Sequence, residues 1–430
     1  MKPVSYPPGE ALLAAYRRRG PMVNAGIGRR GFVYLLGPEA NRFVFANADA
    51  FSWRETFEDL VPIDGPTALI VSDGEDHRRR RSVVAPGLRH RQIQDYIQTM
   101  VDTVDSMIDG WRPGQRLDIY QEFRSAVRRS TAESLFGSRM AAHSDLLGEQ
   151  MQPLLDLTHH LPQVTRLQQL VNSPGWRRAM AARSRLDAFM DAEIADARAH
   201  PRPDDRMLTT LLHGRSDEGQ TLQDNEIRDQ IVSLIAAGYE TTSAALAWAT
   251  HTLLTWPGAW DTAAAEVSRV LGGAAPTATD LTALTYLNGV VHETLRLYPP
   301  GVISARRVMR ELQFDGRRIP TGRMIIFSAY VTHRIPELWP QPTEFRPQRW
   351  DPAAPGYDKP APHEYIPFSG GLHRCIGSVM AITEMTVMLA RLVARTDLRL
   401  PAQRIRAANF AALSPRPGLT VDVLESVPAQ

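Results

Sequence analysis

The chain has 430 residues, a formal net charge of +2, 43% hydrophobic residues and a single cysteine. So small a net charge argues against nucleic acid as a partner, and one cysteine excludes an internal disulfide. No stretch reaches the roughly 18 uninterrupted apolar residues of a membrane span, and 22% charged residues is ordinary for a globular protein with ample material for a core.

At the N-terminus, Met1 to Glu10 lacks the apolar run of a signal peptide. This predicts a cytoplasmic protein without a membrane anchor. No stretch reads as a linker, so one domain is expected over 1–430. Lysine occurs only at Lys2 and Lys359, the other basic residues being arginine, which reflects GC-rich coding more than function. Val33-Tyr34-Leu35-Leu36 and Arg42-Phe43-Val44-Phe45 read as short strands or strand-to-helix transitions. Phe57 to Ile70, with Leu60, Val61, Ile63 and Leu69, suits either a lid over a pocket or ordinary core packing. In His77-Arg78-Arg79-Arg80-Arg81, His77 and Arg81 share one helix face at i,i+4, and Arg78 and Arg79 are expected in solvent.

Helical periodicity dominates from about Arg89 to Val291, with polar turns at 201–205 and, beyond it, at 352–356. One helix is predicted from about Asp224 to Trp256, capped by Thr221 or Asp224 and ended by Pro257-Gly258. At 1.5 Å per residue it is roughly 50 Å long. Its apolar middle, Ile231 to Trp248, contains Ala236-Ala237-Gly238-Tyr239-Glu240-Thr241-Thr242. A mid-helix glycine costs about 1 kcal/mol relative to alanine, and a buried carboxylate costs more unless it has partners. Two such violations side by side mark a site. The structural alternative is a Glu240 salt bridge, with a threonine bonded back to the preceding turn.

Glu293-Thr294-Leu295-Arg296 sets an acid and a base three apart on one helical face. Arg318-Ile319-Pro320-Thr321-Gly322 and Met324 to Phe327 read as strand, turn, strand. The lone cysteine stands in Phe368-Ser369-Gly370-Gly371-Leu372-His373-Arg374-Cys375-Ile376-Gly377, before a helix predicted from Ser378 to Val393. A helix N-terminus favours a thiolate over a thiol, and a thiolate can ligate a metal. The alternative is a small buried hydrophobe. The coarse picture is mainly α with small peripheral β-sheets.

Phe368, Gly371, His373, Cys375 and Gly377 resemble the haem-binding loop of the cytochrome P-450 superfamily, F-x-x-G-x-H/R-x-C-x-G. The Ala237 to Thr242 segment resembles that superfamily's A/G-G-x-D/E-T-T oxygen-binding motif. Glu293 and Arg296 resemble its ExxR pair, and Phe345 to Trp350 resembles the downstream F-x-P-x-R-F/W segment. The departures are Glu240 for the commoner Asp, Gln348 and Trp350. The resemblance implies a haem b held between the long central helix and the cysteine-loop helix, with Cys375 as the iron ligand. It implies propionate contacts from His77, Arg81, Arg306 (or Arg307, one register away) and His373. Phe368 would stand over the thiolate, and Gly371, Ala237 and Gly238 would give room. Glu293, Arg296 and Arg349 would form a buried structural triad.

By the same resemblance, Thr241 hydrogen-bonds dioxygen and Glu240 relays protons in a soluble bacterial monooxygenase. Such an enzyme inserts one oxygen atom into a lipophilic substrate of polyketide, terpenoid, sterol or fatty acyl type. Ala236, Val302 and Ile303 would line its pocket. Electrons would come from a separate ferredoxin and its reductase, docking on Arg374, Arg346 and the Arg78–Arg81 face. The rival readings are a haem-thiolate peroxygenase or isomerase, which often lacks the acid–threonine pair, and a non-catalytic haem sensor, which needs no proton relay.

Overall fold

The longest helix, Asp224–Thr255, appears where the apolar run predicts it, but its cap differs. Gln223 is the capping residue, its carbonyl accepting the first helical bond from Ile227. The Glu226 carboxylate accepts from the Gln223 amide at 3.0 Å. A third-position acid reaching back in this way satisfies a donor the helix leaves open, so neither Thr221 nor Asp224 is needed. The structure, a computed structural model, describes residues 3–26, 31–158, 162–409 and 412–427.

Two compact units can be separated. The first comprises Met1–Ser52, Met100–Phe123 and Thr241–Gln430. Its main sheet has five strands in the order Met22–Ala25, Phe32–Leu35, Met324–Ser328, Ile303–Val308 and Phe51–Ser52. Phe32–Leu35 runs parallel to Met324–Ser328, which runs antiparallel to Ile303–Val308. The segment at 42–45 is instead helical, within Pro38–Ala46. Proline in the first turn and buried Ala40 and Val44, four apart, suit a helix better than a strand. Arg317–Ile319 and Met324–Ser328 are both strands, as expected, but they do not pair with each other. Arg317–Ile319 pairs with Leu312–Phe314.

In this unit the helix Ser378–Arg395 is tied to Ile97–Asp109 by arginine–carboxylate pairs. Arg391 grips both oxygens of Asp105, at 2.8 and 2.9 Å, and Arg395 reaches Asp105 at 2.9 Å. Trp248 stacks on Tyr298 at 4.2 Å and donates its indole N–H to the Leu413 carbonyl at 2.9 Å. The second unit, Trp53–Thr99 and Arg124–Glu240, is almost wholly helical. It includes Gly74–Val84, most of Ile119–Ala142, Ser144–Leu157, Pro174–Ala199 and the first half of the long helix. Among the described residues no helix is long and apolar enough to cross a membrane.

Three histidines of the first unit, buried His251 and His333 and half-buried His292, are held as neutral rings. Desolvation pushes His251 and His292 down to about 4. His333 lies well below its ordinary value, through burial first and then through Arg296 and Arg334. The unfolded chain takes up these protons below about pH 6.5 and the native chain does not, so stability is lost as pH falls from 6.5 toward 4. Each histidine contributes up to about 1.4 kcal/mol per pH unit. Asp64, whose carboxyl is raised to about 7, works in the opposite direction and offsets one of the three. The urea midpoint should therefore fall steadily between pH 6.5 and 5, where unperturbed carboxylates are still ionised. A midpoint constant across that window would show that the histidines are not buried neutral.

Candidate active site

The cysteine loop is shaped from beneath by Phe45. A Cβ on Gly370 would lie 2.4 Å from the Phe45 ring, so only glycine fits there. Gly371 has φ +65°, in the left-handed region that favours glycine, and sits over the Phe45 backbone. The Cys375 amide donates to the Phe368 carbonyl at 3.0 Å, closing the loop before the helix Ser378–Arg395 begins. The thiol is exposed. That rules out its being a core-packing hydrophobe and leaves it accessible as a ligand. His373 is half-buried, in the 3-10 turn Gly371–His373.

Behind the loop lies a closed ionic network. Arg296 uses all five of its N–H donors. Two go to Glu293, at 2.8 and 2.7 Å. The others go to the carbonyls of His333 and Pro342, both at 2.8 Å, and Glu344 at 3.0 Å. Glu293 also accepts from the Arg346 amide at 3.0 Å, Arg349 Nε at 3.2 Å and Trp350 Nε1 at 3.0 Å. Glu293 and Arg296 are 0% exposed. Burial alone would raise the Glu293 carboxyl, but Arg296 and Arg349 hold it below its ordinary value. Glu293, Arg296 and Arg349 thus meet in one buried cluster.

Sequence reasoning missed His333. Its Nε2 accepts from the Ile366 amide at 2.9 Å, so its Nδ1 carries the proton and donates to the Arg296 carbonyl at 3.2 Å. It thereby fastens the start of the cysteine loop to the ExxR helix, Thr285–Leu297. A lone histidine in a short helical turn carries no local signal of that role. In the sequence Trp350 stands out only as a departure from a motif, although its indole N–H joins the network.

Arg306 is buried, bonded to Ser304 Oγ at 2.8 Å and the Ala305 carbonyl at 2.6 Å. Its guanidinium lies 5.2 Å from the Phe327 ring centre, and Phe327 packs edge-on against Phe45. These contacts place Arg306 on the cysteine-loop side of the sheet. Successive strand residues face opposite ways, which puts Arg307 on the other side, bonded to the Gly322 carbonyl at 2.9 Å. Of the two arginines, Arg306 is the one on the side of the sheet that carries the cysteine loop.

In the long helix, Ala237 is exposed and Gly238 and Thr241 are half-buried, although their neighbours are nearly all buried. This opens one stripe in an otherwise packed helix. Gly238 is small for another reason, since a Cβ there would meet Thr131 at 3.3 Å, so it permits close helix packing. Glu240 is buried and paired with Arg124 at 3.0 Å; Arg124 also donates to Gln152 Oε1 at 2.8 Å. Of the pocket candidates, Ile303 is 45% exposed, whereas Val302 and Ala236 are buried.

His77 is buried and Arg81 half-buried in the helix Gly74–Val84. The expectation for their neighbours needs correction. Arg78 is in solvent, but Arg79 and Arg80 turn inward to Glu226, Arg80 Nε at 2.9 Å. Two guanidiniums converge on one buried carboxylate, so neither belongs to a free basic face. Arg374 and Arg346 are exposed.

A family model for cytochrome P450 matches residues 6–421. The chain is a cytochrome P450. Over 428 residues, 99% of this chain and 100% of the other, it is 76% identical to a Mycobacterium tuberculosis protein named cytochrome P450 139. It is 33% identical to the cyclooctat-9-en-7-ol 5-monooxygenase of Streptomyces melanosporofaciens, covering 90% of this chain and 84% of that one. The solved structure of a retinoic acid-bound cyanobacterial CYP120A1 superposes with a TM-score of 0.84 at 26% identity, covering 95% of this chain and 93% of that one. The mainly helical fold with small sheets is that of the P450 family, and this P450 is a haem monooxygenase that binds haem b. Its residues fit that group: an exposed thiol could hold the iron, basic side chains could pair with the propionates, and the long helix has an open stripe of small residues.

Arg296→Lys keeps the charge but has three donors in place of five. It should strand carbonyls and part of the Glu293 carboxylate. Breaking a buried ion pair costs about 3–5 kcal/mol, so haem content after expression and the urea midpoint should both drop sharply. Normal values for both would mean that the network is dispensable.

Proposed function

We propose that this P450 inserts one atom of dioxygen into a lipophilic organic substrate, with Cys375 as the thiolate that would hold the haem and Glu240 and Thr241 as the proton-delivery pair. The observation that carries the reading is the open stripe of the long helix. Thr241 lies on it, one turn from exposed Ala237, with the Glu240 carboxylate adjacent in sequence and fixed by Arg124. Haem, when bound, supplies oxygen activation, with thiolate donation favouring O–O cleavage.

This chain's own residues do the rest. The Thr241 hydroxyl would present a proton at the open stripe and Glu240 would pass protons on to it, while Arg124 keeps the Glu240 carboxylate oriented. Cys375 is held by the loop bond to Phe368. His77, Arg81, Arg306 and His373 would neutralise the propionates, as the chemistry of guanidinium and imidazole allows. Ala236, Ala237, Val302 and Ile303 would contribute apolar surface to a substrate; of these Ala237 and Ile303 are exposed and Ala236 and Val302 buried. A lipophilic substrate of polyketide, terpenoid, sterol or fatty acyl type is supported by these surfaces. It is also supported by a relative acting on cyclooctat-9-en-7-ol and a neighbour binding retinoic acid.

We take residues 1–430 as one P450 domain in the cytoplasm, reduced by a ferredoxin and its reductase. The P450 family generally draws electrons from redox partners. Exposed Arg374 and Arg346 offer positive charge to an acidic one. The acid–threonine pair disfavours the peroxygenase, isomerase and sensor readings.

Cys375→Ser should lose the red-shifted Soret band of carbon monoxide-bound, thiolate-ligated ferrous haem. Retention of that band in the variant would remove Cys375 as the ligand. Thr241→Ala should still bind haem but divert electrons to hydrogen peroxide, and Glu240→Gln should slow turnover by about 10²- to 10⁴-fold, as for other acid–base groups. Unchanged coupling of electrons to product in both variants would refute the proton-delivery pair. Reduction by ferredoxin should slow at high salt, since exposed charges are screened beyond about 8–10 Å, and again in Arg346→Glu. Rates indifferent to both would place docking elsewhere.

A further inference from the structure

The segment from Val61 to Val71 begins as the short helix Val61–Asp64 and ends as the 3-10 turn Leu69–Val71. Between them the backbone has no regular structure. Its polar groups are held chiefly by side chains of two long helices, with Arg54 donating to the Pro66 carbonyl at 3.2 Å and Trp53 to that of Ile70. From Pro174–Ala199, Arg183 donates to the Ile63 carbonyl at 2.6 Å. From Asp224–Thr255, Asp229 Oδ2 accepts from the Thr67 amide at 3.0 Å and the Thr67 hydroxyl at 2.6 Å. Gln230 clamps the next stretch with both ends of its amide. It donates to the Thr67 carbonyl at 2.8 Å and accepts from the Leu69 amide at 2.8 Å. Gly65, at φ +94°, lets the chain pass the Asp229 carboxylate, which a Cβ there would meet at 2.1 Å.

The side chains from the two long helices are buried, as is Asp64. Asp229 is 0%, Gln230 1%, Asp64 4% and Arg183 9% exposed. A stretch held by a few distant side chains, without a ladder of its own, can undock as a unit while the helices stay folded. Two carboxylates, buried Asp229 and half-buried Asp187, share the guanidinium of Arg183. Arg183 bonds Asp229 Oδ1 at 2.8 Å and Asp187 Oδ1 at 2.7 Å, and its remaining reach is to the Ile63 carbonyl. Asp64 has no guanidinium bond; its side-chain partner is Ser233.

We propose that residues 61–71 form a strap whose docking on the helices Pro174–Ala199 and Asp224–Thr255 is linked to protonation of Asp64. Protonated Asp64 fits the closed site, and its ionisation favours release. The inference stands apart from the assignment of the haem ligand and the proton-delivery pair. It gives a physical basis for movement in the segment that the sequence suggests as a lid.

The electrostatics around Asp64 agree with the geometry. Burial pushes its carboxyl up to about 7, the Ser233 hydrogen bond and Arg183 oppose the rise, and Asp229 adds to it. Arg228 lies beside Asp229 at 3.8 Å but is also engaged by Asp187 at 3.4 Å and Asp191 at 3.1 Å. The helix Ser144–Leu157 and the turn Glu58–Leu60 also pack on this segment, yet neither adds a charge that acts on Asp64. The sign follows from linkage. A carboxyl raised in the docked state and ordinary in the released state stabilises docking fully below about pH 4. That advantage is lost progressively up to about pH 7 and stays lost above it.

Hydrogen exchange of the Thr67 and Leu69 amides in the haem-loaded protein, corrected for intrinsic rates, reads this directly. Between pH 5 and about 7 the opening constant should rise about tenfold per pH unit, then level off. Asp64→Asn should remove the rise and keep both amides protected throughout. Ser233→Ala removes a bond that favours the ionised carboxyl, so it should move the levelling-off to higher pH and serves if the asparagine variant folds poorly. A wild-type opening constant that does not change with pH overturns the proposal. So does an unchanged rise in Asp64→Asn, or an unshifted levelling-off in Ser233→Ala.

Discussion

The Glu293–Arg296 pair is the interaction on which the cysteine loop depends. Two opposite charges at 0% exposure are costly unless every donor and acceptor is used. Here they are. Arg296 spends two donors on Glu293 and three on backbone carbonyls from two other segments, around 333 and 342–344. Glu293 gathers the Arg346 amide, Arg349 and Trp350 in return. Arg296 holds His333 in place by its backbone, and His333 holds Ile366 by its ring. The thiol is thus positioned by a chain of bonds that starts at a buried ion pair and does no chemistry itself.

The long helix shows a second constraint, between close packing and open space. Its second half is sealed, with Trp248 stacked on Tyr298. Its middle gives up packing at Ala237 and Thr241, and a carboxylate beside them is retained at the cost of an arginine partner. Gly238 and Ala237 look alike as small residues in a motif. One lets Thr131 approach and the other leaves a surface free. The same arginine-rich chemistry recurs at Glu226, which draws Arg79 and Arg80 inward, and at Asp229, which joins Arg183 to the strap. At these sites arginine organises buried carboxylates.

Much of the fold and of the candidate site was legible from residues 231–248, 293–296 and 368–377, because each breaks a local rule. A glycine and an acid inside an apolar helix, and a lone cysteine after two glycines, are costly unless something uses them. The mainly α class followed from periodicity. The helix at Pro38–Ala46 was half-legible, since a short apolar run has no clear period until its buried face is known.

The sequence by itself determined the family, the cysteine loop, the long helix and the ExxR pair, because contiguous spacing carries those signals. Only the tertiary structure decided partners that lie far apart along the chain. It placed His333 between the Arg296 carbonyl and the Ile366 amide, set Arg306 and Arg307 on opposite sides of the sheet, turned Arg79 and Arg80 inward, and set Asp64 beside Ser233. Hydrogen-bond partners and burial are properties of positions in space. Residue type and spacing restrict them only where chain neighbours are also spatial neighbours.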